Sequence, residues 1–344
     1  LLGAALLTLP AASRSGISCG FRPALFTATS ATCVTGLVLY DTWSQFSSFG
    51  QTVIICLIEI GGLGFMSAAS LFVFLFRRKV GLKQRLLMAQ ALSVDEMSGV
   101  VKLQKWVLLG SLSIQLAGAL VLMLRFLPEY GFRQSLVWGV FHSISAFCNA
   151  GFDIFGSVAP GMSLITFNAD PVVCITLMCL VVLGSLGFFV WEEMVRIHSF
   201  KKFSVYTKLV LVTTVVLIVG GAGIMLLLEW NNPGTLGQMP WPQKILNAFF
   251  QSVTLRTAGF ASVDQAMLTD ATKGISLILM LIGGSSGSTA GGVKTVTFLV
   301  LILFAVARAR GRSTVTAFRR TIPHEKIMDA ASIVFLVVGL AMAG

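Results

Sequence analysis

The chain has 344 residues, 56% of them hydrophobic and only 11% charged, with a formal net charge of +11. Soluble domains hold about 25% charged residues, so an ordinary soluble fold is excluded and the chain reads as an all-α polytopic membrane protein. The positive charge sits in three stretches between apolar runs, 77–105, 196–208 and 308–326, with seven, four and six basic residues. That distribution argues against a nucleic-acid-binding face and follows the positive-inside pattern, which puts these linkers in the cytoplasm.

In chain order, residues 1–9 read as the end of a membrane helix. They lack the n-region and cleavage site of a signal peptide. Pro23 stands at a short helical stretch that runs into Val34, Thr35 and Gly36. Residues 47–76 are the first long apolar run; a bilayer-crossing helix takes about 20 residues. Glu59 lies in the middle of that run. An intramembrane acid is a functional candidate, either paired with Lys294 or Arg256 or protonated and hydrogen-bonded; a structural role is the alternative. A second span is expected over 103–127, followed by a short stretch ending at Asn149, Ala150 and Gly151. Spans over 171–195 and 205–228 follow. Pro240 and Pro242 precede a third short stretch that ends at Thr257, Ala258 and Gly259. The last complete span, 274–307, is interrupted by Gly283, Gly284, Ser285, Ser286, Gly287, Ser288, Thr289, Ala290, Gly291, Gly292, Val293 and Lys294. Residues 327–344 begin a further helix.

The three short stretches are versions of one another. Each has Phe ten residues before its glycine (Phe26, Phe141, Phe249) and a large apolar residue after it (Leu37, Phe152, Phe260). The glycines lie 115 and then 108 residues apart. A fixed period of that size marks a repeated structural unit, here helix, pore loop, helix around a central ion pore. We expect units over 1–100, 101–203 and 204–324, with 325–344 opening a fourth whose glycine would fall near 370. All three pore loops lie on the side opposite the basic linkers, the outside of the cell membrane. The loop-bearing linkers hold seven basic residues against seven acids.

Short, Gly-broken segments at matching positions of membrane repeats point to a transport site. A dehydrated monovalent cation needs several oxygens at one place, and backbone carbonyls supply them without a fixed charge. Turning consecutive carbonyls inward requires backbone angles that Gly tolerates. The half-helices end at the loops, and their partial negative ends favour a cation. Helix-packing glycines are the alternative reading of these positions. Aligned on the glycines, Cys33, Cys148 and Arg256 share one position; Arg256 is expected to face away from the ion and brace the loop, paired with an acid or carbonyl at the outer mouth. Asp41, Asp153 and Asp264 stand shortly after the glycines and either attract cations or are ordinary solvated acids. The segment 283–295 falls near mid-membrane and suits a gate, with a kinked helix as the alternative. It lacks the spacing of a phosphate-binding loop. The six cysteines and three histidines form no metal or nucleophile constellation, so no enzyme activity is expected.

The chain resembles the Trk/Ktr/HKT superfamily of potassium transporters, most of all its bacterial membrane subunits. The resemblance rests on Thr29-Ser30-Ala31 through Val34-Thr35-Gly36-Leu37, on Phe147-Cys148-Asn149-Ala150-Gly151-Phe152, on Arg256-Thr257-Ala258-Gly259-Phe260 and on 283–295. It implies K+ uptake through a carbonyl-lined filter, with K+ at the carbonyls, Gly36 leaning toward K+ over Na+, and Na+ as a coupling or activating ion. It implies a gate at 283–295, a homodimer, membrane lipids around it, and a cytosolic ring of nucleotide-binding regulatory subunits docked on the basic linkers. Glu59 departs from the Gln expected in such relatives. An ion-coupled secondary transporter working by alternating access is the competing reading; it would need inverted repeats, whereas these loops all face one side.

Overall fold

The computed structural model describes residues 1–64, 100–312, 314–318 and 320–343. The end of the expected span 47–76 and most of the basic linker 77–105 lie outside the described residues.

The described chain opens with the helix Leu2–Thr8, followed by the half-helix Phe21–Thr32 of 12 residues. At 1.5 Å per residue this is about 18 Å long, well short of a ~30 Å hydrocarbon core. Asp41 caps the short helix Thr42–Gln45 by accepting from the Ser44 N–H, and Ser47 caps the apolar helix Ser48–Gly62 through the Gly50 N–H. In the second unit, helix runs from Val100 to Phe147 with one break at Gly131, whose φ of 72° and ψ of 168° are not helical. The break follows Pro128 and turns a spanning helix directly into the second half-helix, 132–147. Aromatic packing closes this joint. Trp138 is fully buried, with the rings of Phe126 and Phe155 edge-on at 5.4 and 5.1 Å and Tyr130 at 4.7 Å. Such pairs contribute about 0.5–1.5 kcal/mol each beyond their burial.

Asp170 caps Pro171–Leu186 through the Val172 and Val173 N–H groups. The span expected over 171–195 is not straight: it bends by 96° at Gly187 into the helix Phe188–Ile197. Ser204 caps Val205–Glu229, a helix long and apolar enough to cross a membrane, and the half-helix Trp241–Thr254 follows. The run 274–307 is two helices, Asp270–Leu281 and Thr295–Ala309, separated by the glycine-rich loop. The third basic linker folds partly into an antiparallel hairpin, Val315–Ala317 with Arg320–Ile322, before the helix His324–Ala343. Its β-branched Val315, Thr316, Thr321 and Ile322 favour strand.

Among the described residues, two helices are long and apolar enough to cross a membrane, three if the bent pair is one span. Leu116, Leu124, Val215 and Leu227 are more than half exposed on these helices, the face a bilayer would cover. Inside, backbones approach closely. A Cβ on Gly61 would collide with the Thr32 carbonyl, and one on Gly62 would stand 2.6 Å from the Cys148 sulfur. The first unit's second helix is thereby wedged between the end of the first half-helix and the start of the second loop. Small residues at helix contacts permit this approach in membranes.

Candidate functional site

The half-helices end in tight turns, closed five residues back in the first two and four residues back in the third. The Thr35 N–H donates to the Ser30 carbonyl at 3.0 Å, the Ala150 N–H to Ser145 at 2.8 Å and the Ala258 N–H to Thr254 at 2.9 Å. Beyond these turns the three loops share one backbone signature. Gly36, Gly151 and Gly259 have φ of 73°, 69° and 86°; the residues two before them, Val34, Asn149 and Thr257, have φ of 56°, 56° and 67°. Left-handed geometry costs a non-glycine residue roughly 1–2 kcal/mol, and β-branched Val34 and Thr257 are true outliers there. Side-chain hydroxyls hold the turns: Ser30 and Thr35 hydrogen-bond at 2.9 Å, Ser145 donates to the Phe152 carbonyl at 2.6 Å, and Thr254 donates to the Phe260 carbonyl at 2.7 Å.

The loops are neighbours in space. A Cβ on Gly36 would stand 2.6 Å from the Ala150 carbonyl oxygen, and one on Gly151 would stand 2.6 Å from the Ala258 carbonyl oxygen. A Cβ on Gly259 would lie 3.2 Å from the Gly151 Cα. One cavity of about 250 Å³ touches all three glycines, together with Tyr40, Asp41, Asp153 and Ser163. Burial pushes the Asp153 carboxyl up to about 6; its Phe155 N–H contact opposes this and the nearby Asp41 charge adds to it. Asp41 is occupied as a cap and also accepts from the Gly161 N–H at 3.2 Å. Asp264 is exposed, accepts from the Ala266 N–H and does not line the cavity.

The glycine-rich loop is tied at both ends and along its length. The Gly283 N–H donates to Val293 and the Val293 N–H to Leu281, both at 2.9 Å, so the chain leaves and re-enters helix at one point. The Ser285 N–H donates to Ser185 at 3.0 Å, the Thr289 N–H to Gly184 at 3.1 Å, and Gly287 accepts from the Phe188 N–H at 2.8 Å. The Ser285 hydroxyl donates to the Leu186 carbonyl and the Tyr206 hydroxyl to Ser286. A loop so rich in glycine and serine has little side chain with which to pack against its neighbours. Instead it is docked on the bend at Gly187, because its small residues let backbone meet backbone. Sequence reading missed Gly187, which lies inside an unbroken apolar run and carries no turn signal.

Glu59 takes the hydrogen-bonded alternative rather than an ion pair, and Arg256 departs from its expected pairing. Glu59 meets neither Lys294 nor Arg256. It accepts from the Gln115 amide at 3.0 Å and from the Cys148 thiol at 3.4 Å. Arg256 is 2% exposed, and its guanidinium has no hydrogen-bond partner among the described residues, so the expected pairing at the outer mouth is not made. Lys294 donates to the Ala290 carbonyl at 2.8 Å and closes the loop onto the helix that follows. His142 was read as an isolated histidine. It is fully buried, accepts the Ile154 N–H on Nε2 at 3.2 Å and contacts the Trp138 carbonyl through Nδ1 at 2.8 Å, fixing the strand of chain after the second loop.

Residues 4–341 match the TrkH family model, described as cation transport protein. The chain is 40% identical to the potassium/sodium uptake protein NtpJ of Enterococcus hirae over 342 residues, which is 99% of this chain and 74% of that protein. It is 42% identical to the Ktr system potassium uptake protein B of Bacillus subtilis over 333 residues, 97% of this chain and 73% of that one. The crystal structure of the potassium transporter TrkH from Vibrio parahaemolyticus superposes with a TM-score of 0.72 at 17% identity, covering 100% of this chain and 71% of that chain. The chain belongs to the TrkH family of cation transport proteins.

Proposed function

We propose that this protein takes up K+ across the cell membrane through a filter formed by residues 34–36, 149–151 and 257–259. The observation that carries the reading is the left-handed signature shared by three loops whose glycines lie against one another beneath a single outer cavity. A residue turned left-handed at every second position suits a chain that presents carbonyls to an ion in place of its hydration shell. The half-helix ends add partial negative charge. The names of the relatives, one a potassium/sodium and one a potassium uptake protein, support K+ as the cargo, with Na+ as a second transported or activating ion. They support a transport role rather than an enzymatic one.

In this reading the units 1–100, 101–203 and 204–324 each contribute one loop, and 325–344 opens a fourth. The loops face outside and the basic linkers face the cytoplasm. The loop 283–294 is the gate. A relative named as part of a Ktr system supports a multi-component assembly, for which a homodimer with a cytosolic nucleotide-binding ring is our proposal. The test is growth of a bacterial strain deprived of its own K+ uptake. Expression of the full-length protein should restore growth at low external K+. No rescue from protein that reaches the membrane would count against K+ uptake.

A further inference from the structure

The loop 283–294 does more than lie under the filter: it is hydrogen-bonded to the end of the second half-helix and to the third filter segment. Thr289 makes the contact to the second repeat. Its hydroxyl donates to the Phe147 carbonyl at 2.8 Å, while its N–H donates to Gly184 at 3.1 Å. Phe147 is the last residue of the second half-helix, directly before Cys148 and Asn149. Gly184 bears on the same carbonyl, since a Cβ there would collide with it. In the third repeat, the Gly291 N–H donates to the Thr257 hydroxyl at 3.2 Å, and Thr257 is the residue held at φ 67°. Among the described residues, no hydrogen bond joins this loop to the first filter segment.

A barrier needs only to fill the path; it has no need to bond the residues that select the ion. We propose that the loop is also a brace for the filter, with Thr289 as a positioning residue. Moving the loop out of the path breaks the Thr289–Phe147 and Gly291–Thr257 contacts together. That releases a carbonyl at the end of one half-helix and the side chain of a strained filter residue in the next repeat. The second and third segments then relax while the first is untouched, so ion selection depends on where the loop sits. The proposal rests on reading 34–36, 149–151 and 257–259 as the filter.

The test uses the full-length protein in vesicles and reads the ratio of K+ to Na+ uptake beside total flux. Thr289→Val keeps the side chain's shape and removes the donor; Thr289→Ser restores the donor. Thr257→Val removes the acceptor of the other contact. Gly151→Ala reports on the filter itself. The expected result is a ratio lowered roughly fivefold in Thr289→Val, the scale of one buried hydrogen bond, a similar loss in Thr257→Val, and the parent ratio in Thr289→Ser. A ratio that falls in Gly151→Ala but stays at the parent value in Thr289→Val and Thr257→Val overturns the brace and leaves the filter standing. An unchanged ratio in Gly151→Ala overturns the filter reading instead. Should Thr289→Val fail to insert, Thr289→Ala, which also removes the hydroxyl donor outside the filter segments, decides between these outcomes.

Discussion

Glu59 accepts a hydrogen bond from the Cys148 thiol at 3.4 Å, linking the helix Ser48–Gly62 to the residue just before the loop segment 149–151. The same carboxylate accepts from Gln115, which is 4% exposed and whose amide donates to no other group among the described residues. Glu59→Leu strands that buried amide, and an unsatisfied buried donor costs about 1–3 kcal/mol. Thermal unfolding in detergent should show a clear loss for Glu59→Leu and a small one for Glu59→Gln, which keeps an acceptor oxygen. Equal stability of the two variants would mean that the Gln115 contact contributes nothing.

Gly187 makes the 96° bend on which the loop docks. It sits at φ 89°, and a Cβ there would stand 2.5 Å from the Ser285 hydroxyl and 2.8 Å from the Ser286 carbonyl. Gly187→Ala therefore adds roughly 1–2 kcal/mol of backbone strain and pushes the loop off its seat. If the docked loop closes the path, resting flux through Gly187→Ala rises, by about tenfold for each 1.4 kcal/mol by which docking is weakened. Flux equal to the parent in correctly inserted protein would show that docking does not limit conduction.

Asp153 lines the cavity beside the three loop glycines, with its carboxyl pushed up to about 6 by burial. Its charge is present above that value and is lost as external pH falls through it. Uptake at subsaturating K+ should therefore decline between about pH 7 and 5, and Asp153→Asn should flatten that step while lowering uptake at pH 7. The stability consequence has a fixed sign. A carboxyl raised above its ordinary value favours the folded state when protonated, and that contribution is lost as pH rises through about 6. Asp153→Asn should therefore gain stability relative to the parent at pH 8 and not at pH 4. A pH profile shared by parent and variant would remove Asp153 from the account.

Much of the fold was legible because the three loops repeat at a readable period and the apolar runs exceed the length of a bilayer span. The glycines of 283–295 likewise marked a break in a helix. What was not legible depends on distant partners. Gly187 looks like any membrane-helix glycine until Ser285 and Ser286 are brought against it, 98 and 99 residues further on. His142 gave no cluster in the sequence, although with Trp138 it fixes the joint at Gly131 and the chain after Gly151. Glu59 could be recognised as important, but its partners could not, because Coulomb attraction to Lys294 or Arg256 yielded to the nearer Gln115 and Cys148.

The central claim is that Gly36, Gly151 and Gly259 belong to one ion-selecting site. The most direct measurement is the K+ to Na+ uptake ratio of Gly36→Ala, Gly151→Ala and Gly259→Ala in cells that lack other K+ uptake. All three glycines are left-handed, so each variant is strained. The added methyl would meet a carbonyl oxygen at 2.6 Å from Gly36 or Gly151, whereas the nearest atom to Gly259 is a Cα at 3.2 Å. The account predicts a lowered ratio in all three, with the larger losses at Gly36 and Gly151. Three variants that reach the membrane, carry K+ and discriminate against Na+ as well as the parent would contradict it.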